Sequence, residues 1–479
     1  SLLSGILLSL PWLIHAAWFV IFIAFIPLLY VENHLYRSAE KKTFSSLVLV
    51  VSAGFLLWNL LTTWWIGNAT MIGAIAAVLI NTMLMSLVFG LAHYTSQKLD
   101  RRSGYYALVL YWLAFEFLYF HTEISWPWLT LGNGLGNAIS VIQWFEFTGV
   151  LGGSLWILFI NILLFKGIKH LLSGSVKKAW PGLLTFVLLL SIPVLISRYM
   201  YHNYSVNQDP VALAIVQPNV DPYGSFTADE QLQHIDRMLN LAHSAVDTNT
   251  KFVVAPEAFL KNHIWENEMY NNRAVGQVYD FLDDYHNLHF ITGALTYRMY
   301  TAMDTISHTA SFMPSMGVHF DRFNTALMMK YNQLPQMRHK SRLVMGVEKI
   351  PYPGRLEFLE KWSARLGGIE GSLGVDPKPV TFEVDSGYRI AAFICYESEY
   401  PEFIADFVKK GAQLLFMITN DGWWGDTPGY RQHLSYARIR AIETRRTIAR
   451  SASTGISALI DSRGQILKKT AYGERTAIS

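Results

Sequence analysis

The only cysteine in the 479 residues stands in Arg389-Ile-Ala-Ala-Phe-Ile-Cys-Tyr-Glu-Ser-Glu399, where an apolar, β-branched run gives way to polar and acidic residues. That pattern predicts a buried strand delivering a thiol to its carboxyl end, the edge at which layered α/β proteins place their chemistry. Two other strand ends carry groups that complement a thiol: Glu257 after Val253-Val-Ala-Pro256, and Lys340 within Arg338-His-Lys-Ser-Arg-Leu-Val-Met-Gly-Val-Glu348. A thiol attacking a carbonyl must lose its proton, and a carboxylate in a desolvated pocket can accept it. A fixed ammonium can stabilise the thiolate and then the oxyanion, together with a backbone N–H near Tyr396. Singly these residues carry little: a lone cysteine is commonly one more small buried apolar side chain, and most Glu and Lys are solvated surface.

The elements that must position them follow from the alternation after residue 204. Val211–Asn219 reads as a β-branched strand ending in a turn, and Asp229–Asp247 as a polar-faced helix. Strands follow at Phe252–Glu257, His289–Ala294, Tyr388–Cys395, Gln413–Asn420 and Thr454–Ile460, with helical stretches between them. Such alternation predicts a layered α/β domain over 204–479, with a core large enough to need no disulfide.

Residues 1–203 are of another kind. The first 200 residues hold 17 charged side chains and the remaining 279 hold 58, which predicts a membrane half followed by a water-exposed half. Apolar segments at about 2–14, 17–31, 44–65, 71–93, 104–121, 145–166 and 180–199 give about seven transmembrane helices. The first two are short and read as a tight pair or as one helix kinked at Pro11; the pair makes the later loops alternate. Arg37, Lys41 and Lys42 follow the second segment, Lys98, Arg101 and Arg102 the fourth, and Lys166, Lys169, Lys177 and Lys178 the sixth, while the intervening loops contain no Lys or Arg. Basic loops mark the cytoplasmic side, so everything after the seventh segment is expected outside the cytoplasm. With six further apolar spans behind it, the first reads as a membrane segment more readily than as a cleaved signal peptide.

The uncharged loop Ser125-Trp-Pro-Trp-Leu-Thr-Leu-Gly-Asn133 reads as an aromatic belt at the membrane interface or as a lipid-entry surface, as do Trp58, Trp64 and Trp65. Glu116, inside the fifth segment, reads as a structural hydrogen-bond acceptor between helices or as a functional group, and Glu146 as a solvated interface residue. The net charge of +3 is too small to suggest nucleic acid. One cysteine excludes an internal disulfide and a thiolate metal cluster, and neither metal nor cofactor is expected. The chain begins with Ser1 inside an apolar segment and ends in a strand-like stretch, so both ends are expected to be trimmed.

Taken together and in this order, Glu257, Lys340 and Cys395 resemble the carbon-nitrogen hydrolase (nitrilase) superfamily, with its Glu-Lys-Cys triad on an α-β-β-α sandwich. With the membrane segments, the chain is similar to the membrane-bound branch of that superfamily, the apolipoprotein N-acyltransferases. The likeness spans nearly the whole chain. It rests on the Trp-Pro-Trp-Leu loop, Gln217-Pro-Asn219, Pro256-Glu257, His339-Lys340 with Leu343-Val344 and Glu348, Ile394-Cys-Tyr-Glu397, Asn420-Asp-Gly-Trp-Trp-Gly425 and Ala437-Arg-Ile-Arg-Ala-Ile-Glu443.

The resemblance implies a polytopic α-helical membrane domain plus a nitrilase-like α/β sandwich. Glu257 would be the general base, Lys340 the oxyanion stabiliser and Cys395 the nucleophile. Glu348 would orient the lysine and the incoming amine, Glu397 is the acidic residue two after the nucleophile, and Trp423 is an aromatic neighbour of the site. Against these roles, Glu348 and Glu397 also read as salt-bridge partners of Arg342 or Arg438, and Arg438, Arg440 and Glu443 as a packing face.

The implied reaction is ping-pong transfer of a fatty acyl chain from a membrane phospholipid, through a Cys395 thioester, to the α-amine of a lipoprotein's N-terminal diacylglyceryl-cysteine. The implied setting is the bacterial inner membrane, with catalysis on the periplasmic side. The competing readings are a membrane-tethered amidase acting on a small amide and a ligand-binding transporter or receptor. Three departures from the family pattern stand out. Leu343-Val-Met-Gly-Val-Glu348 lacks the usual proline and displaces the glycine, Glu116-Phe-Leu-Tyr119 lacks an arginine, and the eighth helix that ends the family's chains does not follow residue 479.

Overall fold

A computed structural model describes residues 1–37, 43–174, 176–205, 210–224, 226–350, 372–385 and 387–479. The chain divides into two compact units, one made of Ser1–Gly67 and Met71–Tyr204, the other of Asn68–Thr70 and Ser205–Ser479.

The first unit is helical throughout. Helices Leu2–Leu13, Thr43–Thr63, Met71–Lys98, Arg101–Tyr119, Phe145–Leu172 and Val176–Asn203 match six of the seven apolar segments, and the second, 17–31, is divided between the 3-10 stretch His15–Phe22 and helix Ile26–Arg37. Among the described residues, five stretches are long and apolar enough to cross a membrane, one of them His15–Arg37, which joins a 3-10 turn to helix Ile26–Arg37. The break between the first two segments lies at Ile14, which is extended (φ −127°, ψ 107°), and not at Pro11, which stays inside its helix.

Polar ends of four helices gather at one end of this unit. The Glu32 carboxylate meets Arg101 at 2.5 Å and His93 Nδ1 at 2.9 Å, and Lys169 Nζ donates to Asn33 Oδ1 at 2.9 Å. The residues flanking three basic loops are thereby brought together; Lys41 and Lys42 lie outside the described residues.

The aromatic loop departs from the interfacial expectation. Trp126 and Trp128 are buried and stacked, with ring centroids 5.2 Å apart, and Trp65 packs on Trp128 at 4.9 Å. Trp58 is also buried, and of this group Trp64 alone is exposed. With almost no charge to solvate, residues 125–135 fold inward as short 3-10 turns and fill the helical unit. Glu116 fastens them: its Oε1 accepts from Leu131 N at 2.8 Å and from Trp112 Nε1 at 3.0 Å. Glu146 sits partly exposed in the first turn of its helix.

The second unit pairs two sheets. One sheet runs β14 (Thr476–Ile478), β1 (Leu213–Gln217), β2 (Phe252–Val254), β4 (His289–Met299), β6 (Val318–Lys330), β5 (Ser311–Met313), with β3 (Leu260–Trp265) on β4 and β7 (Gln336–His339) on β6. The other runs β13 (Ile466–Lys469), β12 (Ala458–Ile460), β11 (Ile448–Ala452), β10 (Ala412–Thr419), β9 (Arg389–Ile394), β8 (Phe382–Glu383). Ile215, Phe252, Val254 and Met328 of the first sheet meet Ile390, Ile394, Phe416 and Ile418 of the second in one apolar core. On the far face of the first sheet, Val216, Val253 and Phe290 pack against Ile235 and Met238 of helix Ala228–Ala245 and Val275 and Val278 of helix Arg273–Asp283. Helices Pro401–Lys409 and Pro428–Thr444 pack on the second sheet. The order is therefore α-β-β-α.

The stretch Thr454–Ile460, read as one strand, is a turn followed by β12, and the strand before it is β11. Arg450 and Ser451 interrupt the apolar pattern of β11, yet both are buried. Their partners come from distant parts of the chain: Arg450 pairs with Asp421, and Ser451 Oγ donates to Val216 O.

Candidate active site

Glu257 reaches the site because β2 ends in a forced turn. Ala255 N donates to Ile291 O at 2.8 Å, Gly293 N to Pro256 O at 2.9 Å and Phe259 N to Gly293 O at 2.9 Å, so residues 255–259 hug β4. Ala258 takes a left-handed φ of 46°. A Cβ on Gly293 would lie 2.3 Å from Ala258 N, so only glycine permits this approach. The carboxylate that results is buried.

Lys340 directly follows β7, and its N–H donates to Asn324 O on β6 at 2.7 Å. Its buried ammonium donates to Glu257 Oε1 and to Glu348 Oε1, each at 2.9 Å. Asn324 Nδ2 donates to the same two oxygens at 2.8 Å each, closing a ring of two carboxylates, one cation and one amide. The remaining carboxylate oxygens accept from backbone: Glu257 Oε2 from Asn420 N at 3.1 Å, Glu348 Oε2 from Val344 N at 2.8 Å. The turn Leu343–Glu348 thus holds Glu348 on the lysine without the proline usual there.

Burial works against the Lys340 charge, but Glu257 and Glu348 outweigh it and push its pKa up. It is a permanent cation, suited to stabilising an anion and unsuited to taking a proton.

Cys395 begins a 3-10 turn after β9 and has a φ of 48°, a left-handed conformation that costs a β-carbon residue about 1 kcal/mol or more. It is 7% exposed. Burial pushes its thiol pKa up, the Glu257 charge adds to that, and the Lys340 charge opposes it. The sulfur therefore rests protonated beside a carboxylate that can take its proton and a cation that favours the thiolate. Tyr396, whose N–H follows the nucleophile in the turn, is buried.

Glu397 does not point at this ring. Its partner is Arg338, and not Arg342 or Arg438: Arg338 Nη2 donates to Oε1 at 2.6 Å and Nη1 to Oε2 at 2.7 Å, with both side chains fully buried. Glu397 also accepts from Ser341 N and Ile394 N, at 2.7 Å each. It ties the lysine segment to the nucleophile turn. Arg342 instead lies over Tyr400 and Phe403, and Arg440 pairs with Glu443 at 3.0 Å on the helix that packs beneath. Trp423 stands edge-on to Tyr223, with centroids 5.1 Å apart.

Behind the nucleophile is a buried polar group that the sequence reading did not single out. His433 Nδ1 faces Asp421 Oδ1 at 3.0 Å, and its Nε2 faces Ser398 Oγ at 3.0 Å; Ser398 Oγ in turn donates to Cys395 O at 2.9 Å. Arg450 Nη2 donates to Asp421 Oδ2 at 2.6 Å. Burial pulls the His433 pKa down, which favours the neutral ring between Asp421 and Ser398. Burial disfavours the Asp421 charge, but Arg450 and His433 prevail and hold its pKa at about 2. The only trace of this group in the sequence is the Asn420-Asp-Gly-Trp-Trp-Gly425 motif. His433 and Arg450 lie on separate elements and show no local signal.

Residues 212–479 match the carbon-nitrogen hydrolase family, and residues 4–163 match the apolipoprotein N-acyltransferase N-terminal domain. Relatives named apolipoprotein N-acyltransferase include that of Chlorobaculum tepidum, 28% identical over 100% of this chain and 89% of its own length. Those of Geobacter metallireducens (25% identical, 97% and 85%) and Thermotoga maritima (26%, 98% and 84%) are similar over the same extent. Among solved structures, an amidase from Nesterenkonia sp. overlaps 57% of this chain and 91% of its own at 15% identity, with a TM-score of 0.38. Saccharomyces cerevisiae Nit3 overlaps 55% and 87% at 17% identity, also with a TM-score of 0.38.

Proposed function

The chain belongs to the carbon-nitrogen hydrolase family, and we propose that within it this protein is an apolipoprotein N-acyltransferase. It moves a fatty acyl chain from a membrane phospholipid to the α-amine of a lipoprotein's N-terminal diacylglyceryl-cysteine. The observation that carries the proposal is the buried Glu257–Lys340–Glu348–Asn324 ring next to a lone buried thiol, in a chain whose other unit carries, among the described residues, five helices of membrane-crossing length.

In the first half-reaction Cys395 Sγ attacks the ester carbonyl while Glu257 takes the thiol proton. The Lys340 ammonium and the Tyr396 backbone N–H stabilise the oxyanion; such donors are each worth about 100-fold to 1000-fold in rate. Collapse breaks the ester C–O bond, and Glu257 returns the proton to the departing alkoxide, releasing a lysophospholipid. In the second half-reaction the free amine attacks the thioester and gives its surplus proton to Glu257; the C–S bond breaks as the amide forms, and Glu257 returns the proton to the leaving Cys395 thiolate. Asn324 and Glu348 hold the Lys340 ammonium in place for both steps. Low water access protects the thioester between them.

Helices Leu2–Leu13 through Val176–Asn203 form a membrane domain of about seven spans, and residues from 204 on form the catalytic domain. The gathering of Glu32, Arg101, Asn33 and Lys169 at one end of the helical unit supports assigning that end to the cytoplasm, and in this reading catalysis takes place on the periplasmic side of the inner membrane. The direct test is an assay of the purified protein with phosphatidylethanolamine and a diacylated lipopeptide, read by mass spectrometry. Wild type should yield a lipopeptide heavier by one fatty acyl chain, and Cys395→Ala none; an unmodified lipopeptide with wild type rejects the proposal.

A further inference from the structure

The segment that leaves Glu257 borders a cavity of about 440 Å³ in the catalytic unit, lined by Phe226, Leu232, Lys261, His263, Asn271 and Arg273 among others. Its wall is an irregular strand. β3 pairs with β4 at Leu260, but the register shifts before Ile264, and His263 takes a φ of 44°. Such a bulge turns side chains away from their regular alternation, and here Lys261 and His263 line the cavity.

Lys261 is partly buried, and among the described residues no carboxylate, hydroxyl or carbonyl pairs with its ammonium. Desolvation of the charge pulls its pKa down. Nearby acidic groups are engaged elsewhere. Glu230 caps its own helix through Thr227, and Asp229 stands 3.9 Å from Arg273 with both side chains exposed. Further basic groups, Arg237 and Arg475, act on the neighbouring His234 together with Lys261. An ammonium partly withdrawn from water without a counter-ion is costly, and an anion entering the cavity would remove that cost.

The chemistry of the lining narrows the anion. Lys261 and His263 from β3 and Arg273 from the start of helix Arg273–Asp283 line one volume, which suits a group with several acceptor oxygens. Phe226 and Leu232 give it an apolar side, as an amphiphile requires. Lys261 also lies within electrostatic reach of Glu257, and in a glycerophospholipid only a few bonds separate an acyl ester from the phosphorus.

We propose that this cavity is a phosphate subsite in which Lys261 binds the phosphodiester of the acyl donor. The inference rests on the reading of the donor as a phospholipid. Free inorganic phosphate offers similar oxygens, and the test separates the two sources.

The full-length protein in detergent would be treated with an amine-reactive N-hydroxysuccinimide ester, and modification of Lys261 followed by site-resolved mass spectrometry. Phosphatidylglycerol should slow modification about fivefold or more relative to diacylglycerol, and inorganic phosphate should protect less at equal concentration. Protection by inorganic phosphate equal to that by phosphatidylglycerol overturns the lipid source, and protection by neither overturns the subsite. In parallel, Lys261→Gln should raise the KM for phosphatidylglycerol about tenfold with little change in kcat, as expected for loss of one charge-assisted contact, and Lys261→Arg should restore most of it. An unchanged KM contradicts the proposal. The protection experiment needs no turnover. A wild type that never acylates Cys395 therefore refutes the acyltransferase reading, whereas acylation without Lys261 protection refutes the subsite alone.

Discussion

At the scale of single residues, the charges around Cys395 act in opposite directions, and that separates their roles. Glu257 disfavours the thiolate and Lys340 favours it. Iodoacetamide reacts with the thiolate, so alkylation of wild-type Cys395 should be slow at pH 7 and rise about tenfold per pH unit into the alkaline range. Glu257→Gln should speed alkylation at fixed pH, because the opposing charge is gone, and yet lower acyl transfer by about 100-fold or more, because the base is gone. Lys340→Met should slow both. Rates of alkylation and transfer that fall together in Glu257→Gln would contradict the assignment of the base. Cys395 was legible in the sequence because it is unique and ends an apolar run. Asn324 was not, although it touches both carboxylates. It sits within Asp321-Arg-Phe-Asn324, where charged residues hide the strand, and its importance comes from a neighbour 67 residues away.

At the scale of elements, the site is where two chain turns are riveted together. Arg338 and Glu397 join the end of β7 to the turn after β9, with no solvent contact. Removing one partner of such a pair leaves a buried charge unpaired, at a cost of about 3–5 kcal/mol. Glu397→Ala should therefore lower the midpoint of thermal unfolding steeply, by more than Glu348→Ala, whose loss should show mainly in acyl transfer. Equal thermal midpoints for the two would contradict a positioning role for Glu397.

His339 adds a pH dependence to the same segment. Its ring lies between Glu266 (2.8 Å) and Asp376 (3.0 Å), and although burial opposes its charge, the hydrogen bonds and charges of these carboxylates raise its pKa. A raised histidine pKa contributes stability that is complete below its unfolded value of about 6.5 and fades as pH rises through the folded value. Denaturant unfolding of wild type should thus lose stability across that rise relative to His339→Gln; parallel profiles would contradict the clamp. β9 and β10 were legible as apolar runs. β7 was legible only as the strand end that carries Lys340, and its extent was not, because Gln336-Met-Arg-His339 owes its strand form to pairing with β6 and not to its own composition.

At the scale of the whole molecule, hydropathy made the division at about residue 204 legible, and all seven apolar segments are helical. The inward packing of Trp126 and Trp128 was not legible, because an aromatic, uncharged loop suits a bilayer interface and a protein interior equally well. The topology makes a direct prediction. In a Cys395→Ala background, Leu99→Cys and Leu334→Cys place thiols at exposed positions in the two units. A membrane-impermeant maleimide applied to cells with a permeabilised outer membrane should label position 334 and leave position 99 unlabelled. The reverse pattern would put catalysis in the cytoplasm.

The measurement that bears most directly on the central claim is a trap-and-chase of the acyl-enzyme. The protein is exposed to a phospholipid carrying a tagged fatty acyl chain, and the tag on Cys395 is tested for release by hydroxylamine, which cleaves thioesters. A diacylated lipopeptide is then added. The account predicts hydroxylamine-sensitive label on Cys395 that moves to the lipopeptide amine during the chase. Label that stays on the protein, or that leaves only as free fatty acid, would contradict it.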